Sequence, residues 1–208
     1  MRLRPLVGLV LATIALAEPA HSQGEIDQAA QAAIERSRTT NATYSVCNWN
    51  RITIPGAEPI EEWSAEFHDG TLHRVETPRD RLIADCAAGI GTHVNLASGE
   101  RTRNQAVARA ACGVQANSRV LSASFDGRTT GEYGNIDHVT IRDPENVRTY
   151  EIATNGAIVG ATIQAGDGTV RLRSRAIALK DTVAVDIFSE ESLATSAVPD
   201  ALRRPPID

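Results

Sequence analysis

Three turn signals, Asp69-Gly70, Asn155-Gly156 and Asp167-Gly168, constrain this chain more than any other feature. Such dipeptides tolerate the positive φ angles that tight hairpin turns demand, and each sits between runs rich in β-branched or aromatic residues. Strands joined this closely must be antiparallel neighbours. Around the first turn, pairing His68 with Thr71 sets Phe67 opposite Leu72, Ala65 opposite Arg74 and Trp63 opposite Glu76 on one side. Glu66 then faces His73 on the other. The second turn joins 148–154 to 157–165 and puts Tyr150, Ile152, Val159, Ala161 and Ile163 on one face. Ile158 breaks the polar parity of that strand and marks a covered patch. The third turn leads into a strand over 169–179.

Composition supports further strands over 43–54, 81–86, 92–96, 119–125, 136–142 and 183–188. Two helices are expected. The first, 25–38, carries Ile26, Ala29, Ala30, Ala33 and Ile34 at helical spacing. Ser22 and Glu25 have capping-box spacing ahead of it, although cleavage after Ser22 would remove that cap. The second, 102–112, has Thr102 and Gln105 at capping-box spacing, a stripe of Val107, Ala110 and Ala111, and Gly113 at the C′ position. A helix, strands, a helix and a long meander imply an α+β fold: a strongly curved antiparallel sheet with helices over one face.

The chain opens as an export signal. Met1-Arg-Leu-Arg precedes an apolar run over 6–17, with small-residue cleavage sites after Ala17 or after Ser22. Residues 1–22 are read as a signal peptide, 23–193 as one domain, and 194–208, with three prolines and no apolar period, as a mobile tail. No later stretch reaches the roughly 20 apolar residues of a membrane helix. The expected location is therefore the periplasm. A formal charge of -5 argues against nucleic-acid binding. In an oxidising compartment, Cys47, Cys86 and Cys112 allow three one-disulfide pairings; Cys86 with Cys112 is favoured because both end elements.

Catalytic signatures are missing. There is no GxSxG elbow, Gly89-Ile90-Gly91 lacks the lysine and helix of a phosphate loop, and the histidines show no metal-ligand spacing. The reading is accordingly no enzyme, no cofactor and no metal. Arg171, Arg173 and Arg175 project from one strand face, either as a solvated surface or as a contact for an anionic partner. Trp63, Arg74, Glu76, Arg81 and Asp85 form the one polar set that stands out. It is either an arginine–carboxylate network fixing adjacent strands or the rim of a ligand site.

The Tyr44-led strand after a helix, the hairpin ending His73-Arg74-Val75-Glu76, the run TYEIATNGAIVGATIQAGDGTVRLRS and the final VAVDIF resemble the LolA-like group. That group comprises exported half-barrel proteins, among them lipoprotein carriers and anti-sigma-factor regulators. The resemblance implies an unclosed half-barrel with helices on its concave face. It also implies non-catalytic binding of an apolar ligand, or of a lipoprotein or other envelope protein segment, on that face. Trp63, Phe67, Arg74, Glu76, Tyr150 and Ile152 are then the candidate ligand contacts. The absence of Met from the mature chain and its many alanines set this sequence apart from a roomy acyl-chain carrier.

Overall fold

A computed structural model describes residues 25–39, 41–114, 120–184 and 186–206. The export signal read over 1–22, Ser22 of the first capping box and Arg119 of an expected strand lie outside them. Twelve strands form one sheet: β1 (Glu25–Ile26), β2 (Thr43–Ile52), β3 (Ile60–Asp69), β4 (Leu72–Glu76), β5 (Asp80–Asp85), β6 (Ile90–Asn95), β7 (Arg101–Asn104), β8 (Ser122–Gly131), β9 (Gly134–Arg142), β10 (Asn146–Ala153), β11 (Ile158–Ala165) and β12 (Val170–Lys180). Their order is β1-β8-β9-β10-β11-β12-β2-β3-β4-β5-β6-β7. The two-residue β1 runs parallel to β8, and every other pairing is antiparallel. The terminal strands do not meet, so the curved sheet stays an open half-barrel with its helices on the concave face.

Helix α1 (Gln28–Thr39) starts later than its apolar spacing predicts, because Asp27 caps it. The Asp27 carboxylate accepts from Ala29 N at 2.8 Å, and its carbonyl from Gln31 N at 2.9 Å. Ala30, Ala33 and Ile34 pack on Ala123, Val139, Ile141 and Ile152 of β8–β10. Helix α2 (Gln105–Ala111) is shorter than expected, since 101–104 pair with β6 as a strand. Its cap is Asn104, whose side chain accepts from Val107 N at 2.9 Å, rather than a Thr102–Gln105 box. Gly113 does take the C′ position, at φ 63°. A Cβ there would stand 2.4 Å from the Ser37 carbonyl oxygen, so glycine lets the end of α2 close on α1. Gly91 does the same for the sheet: a Cβ would meet Ala108 N at 2.9 Å. The Cys86–Cys112 disulfide then ties the end of β5 to the end of α2.

The first hairpin differs in register from its sequence reading. Asp69 pairs with Leu72 and His68 with His73, so the loop is Gly70-Thr71. Gly70 has φ 60° and no other residue type has positive φ among those described, the pattern of a type II′ turn with glycine first. The shift is two residues in total, so each side chain keeps its face while every cross-strand partner changes. Phe67 now faces Arg74, and Ala65 faces Glu76. In the two later hairpins, Gly156 and Gly168 donate to the carbonyls of Ala153 and Ala165, making three-residue turns closed by a glycine at positive φ. The β10–β11 register shifts between Glu151 and Ile152, which turns Ile158 against the α1 cluster. That accounts for its break in parity.

Among the described residues of 183–188, which leave out Val185, no strand forms, and the tail expected to be mobile is docked as far as Arg203. Residues beyond β12 run across the face of the sheet opposite the helices, with short 3-10 turns at Glu191–Ala194 and Asp200–Arg203. Leu193 and Val198 are buried there, against Ile83 and Val94 and against Trp63, Ala65 and Phe67 respectively. The physical reason is a set of buried hydrogen bonds that apolar periodicity cannot reveal.

Candidate functional site

Those bonds centre on β4. Arg74 and Glu76 alternate along the strand, so both point to the face away from the helices, and both are almost wholly buried. Arg74 Nε donates to Glu76 Oε1 at 2.7 Å. Its Nη1 donates to the Ile187 carbonyl at 2.6 Å and Ser192 Oγ at 2.7 Å, and its Nη2 to the Ser192 and Thr195 carbonyls at 3.2 and 2.6 Å. Glu76 accepts from Ala197 N at 2.8 Å and Ser196 Oγ at 2.6 Å. Arg81 adds a bond to the Leu193 carbonyl at 2.9 Å. Burial pulls the Arg74 guanidinium below its ordinary pKa, while the Glu76 carboxylate holds it up. Three expected network members thus latch the C-terminal segment to the sheet.

Beside the latch, the segment and the sheet line a half-open cavity of about 450 Å³. Its floor is Cys47, Ala65 and Phe67, and its roof is Ile187, Val198 and Leu202. Lys180 stands at its edge. Cys47 is a buried free thiol, and burial pushes its pKa up to about 11, so at neutral pH it is a small apolar wall rather than a nucleophile.

Of the six candidate contacts, Phe67 lines this cavity and Trp63 packs in the same apolar cluster. Arg74 and Glu76 stand next to it as the latch. Tyr150 and Ile152 are elsewhere: they lie on the opposite face, packed in the cluster beneath α1. The structure therefore does not bring the six together. Ile152 is fully buried between sheet and helix, where dense Ala, Val and Ile packing serves as core.

No family model matches the sequence, and no curated protein matches it. Solved structures do match in fold. An uncharacterized conserved protein from Thermus thermophilus superposes with a TM-score of 0.52 at 10% identity, covering 85% of this chain and 96% of that one. MucB superposes with a TM-score of 0.51 at 10% identity over 82% of this chain; the match spans 64% of MucB, less than two thirds of its length. A LolA superfamily protein from Nitrosomonas europaea gives 0.45 at 8% identity, over 79% of this chain and 99% of that one. The chain shares the fold of the Thermus thermophilus protein and of MucB. At such identities the likeness is one of fold.

On the helix side of the sheet lies a group that sequence reasoning missed. Glu66, His68 and His73 bring one ligand-type atom each within 4.8 Å of one another. The signal was present as Glu66-x-His68 alternation, but the pairing of His68 with His73 depends on the hairpin register. The arginine ladder is as expected: Arg171, Arg173 and Arg175 are exposed on the outer face, level with Arg51 of β2.

Proposed function

We propose that this protein is a non-catalytic binding protein of the bacterial envelope that holds an apolar ligand, such as an acyl chain, beneath its C-terminal segment. The observation that carries this reading is the apolar cavity of about 450 Å³ between Phe67, Ala65 and Cys47 on one side and Ile187, Val198 and Leu202 on the other. Its size falls in the usual range of small-molecule sites, roughly 300–1,000 Å³, and apolar walls with few polar groups are what such sites share. Lys180 at the edge suits an anionic head group on the ligand. The leader-like N-terminus and the Cys86–Cys112 disulfide support an exported location. The ligand side differs from the one that the family resemblance implies, because the concave face is filled by α1 and α2.

The test is displacement of a fluorescent fatty acid, combined with lipid extraction from purified protein. A saturable probe that Ala178→Leu weakens at least tenfold, with the thermal midpoint retained, is the expected result. A protein that carries no lipid and shows no displaceable probe overturns the cavity reading. The exposed Arg171, Arg173 and Arg175 ladder then becomes the favoured surface, and the function becomes contact with an acidic segment of an envelope protein.

A further inference from the structure

The hairpin register places two imidazoles and a carboxylate together on the face of β3 and β4 away from the cavity. His68 and His73 are directly paired across the strands, and Glu66 is two residues before His68 on the same face. Both histidines are wholly buried. Their rings meet edge to face with centroids 4.1 Å apart. His73 Nδ1 lies 3.3 Å from Glu66 Oε1, yet neither ring nitrogen of His73 makes a hydrogen bond among the described residues. Leaving a buried polar group unsatisfied costs about 1–3 kcal/mol, and native proteins rarely accept it. A cation that takes the lone pair of one His73 nitrogen, with the other nitrogen carrying its proton, removes part of that cost.

We propose that Glu66, His68 and His73 form a binding site for a divalent metal ion of borderline softness, Zn²⁺ in the first instance. Two imidazoles and one carboxylate are a donor set that zinc takes at about 2.0–2.2 Å in tetrahedral geometry. Donors bound that way stand roughly 3.3 Å apart, so atoms already within 4.8 Å need only side-chain rotation to close on the ion. Tyr44 completes the surroundings. Its hydroxyl donates to Glu66 Oε1 at 2.8 Å, and its ring stacks on His68 at 4.8 Å with an interplanar angle of 2°. Through that hydrogen bond Tyr44 orients the carboxylate from outside the ligand shell. The fourth position goes to water, reached past the Glu66 side chain, which is 13% exposed. The site fastens β2, β3 and β4 together beneath the helices. It is independent of the cavity, which lies across the sheet.

The experiment loads the metal-stripped full chain with ZnCl₂ and reads stoichiometry by elemental analysis, first-shell ligands by X-ray absorption, and thermal midpoint. One Zn²⁺ per chain, a nitrogen/oxygen shell with imidazole scattering, and a midpoint that rises with Zn²⁺ concentration are expected. His73→Gln or Glu66→Gln should abolish uptake, and Tyr44→Phe should weaken it about 10–100-fold. A His93→Gln/His138→Gln control should retain it. No uptake at tenfold excess overturns the proposal. So does sulfur in the first shell, or binding that survives His73→Gln. The X-ray absorption readout uses the unaltered protein, so a variant that fails to fold does not decide the matter.

Discussion

At the scale of the residue, Arg74 decides how the C-terminal segment behaves. It heads the fully buried side chains by size and carries a charge, a combination that is stable only when every donor is matched. Its five contacts are one carboxylate, one hydroxyl and three carbonyls, all fixed by the planar fork of the guanidinium. Removing it takes the nearest cation from the buried Glu76 carboxylate, which keeps only Arg81 at 3.6 Å and the hydrogen bonds from Ser196 and Ala197. Arg74→Ala should therefore destabilise the fold by about 3–5 kcal/mol, read from urea unfolding. Arg74→Lys should recover little, because an ammonium is a point charge and cannot reach carbonyls on both sides. A loss under about 1 kcal/mol for Arg74→Ala, the scale of a single ordinary hydrogen bond, would show the segment is held by apolar contact alone.

At the scale of the element, α1 is pinned by one acid. Asp137 of β9 accepts from Arg128 Nε at 2.6 Å and from Arg36 Nη2 of the helix at 2.5 Å. Arg128 first, then Arg36, hold its carboxyl below the usual range against the opposing effect of burial. A depressed carboxylate pKa contributes stability that is complete above the ordinary aspartate value and is lost as pH falls through the lowered one. Unfolding free energy should thus drop on acidification below about pH 4, and Asp137→Asn should flatten that drop while lowering stability at neutral pH. Parallel pH profiles for the two proteins would remove Asp137 from the account. The elements themselves were legible from residue patterns: Ala30, Ala33 and Ile34 announce α1, and glycine-marked turns announce the meander. Of the three pairings that the cysteines allow, the one favoured because Cys86 and Cys112 end elements is the one that forms. What stayed hidden depended on long-range contact. Which glycine position forms the first turn sets whether His73 meets Glu66 or His68, and the turn dipeptide alone permits either. The docking of 187–198 rests on carbonyls meeting Arg74, and backbone groups leave no trace in side-chain patterning.

At the scale of the whole molecule, both faces of one sheet are covered by different means. Helices α1 and α2 cover the concave side with small-residue packing that brings backbones close, as at Gly91 and Gly113. The segment after β12 covers the middle of the other side with few apolar anchors and many hydrogen bonds, and leaves a cavity beneath it. Coverage of the second kind, with fewer apolar anchors, is expected to open locally at lower cost than coverage of the first kind. A ligand seated between Phe67 and Val198 rests against that locally opening segment. Hydrogen exchange tests the asymmetry directly. The amides of Thr195, Ala197 and Leu202, bonded within the segment or to Glu76, should exchange well before those of α1. Arg74→Lys should accelerate them further and leave α1 unchanged. Saturation with a fatty acid should slow the same amides, because a ligand bound only to the closed form stabilises it by mass action. Exchange of the segment in step with α1 would mean that the two coverings open together, and the segment would have no local opening of its own.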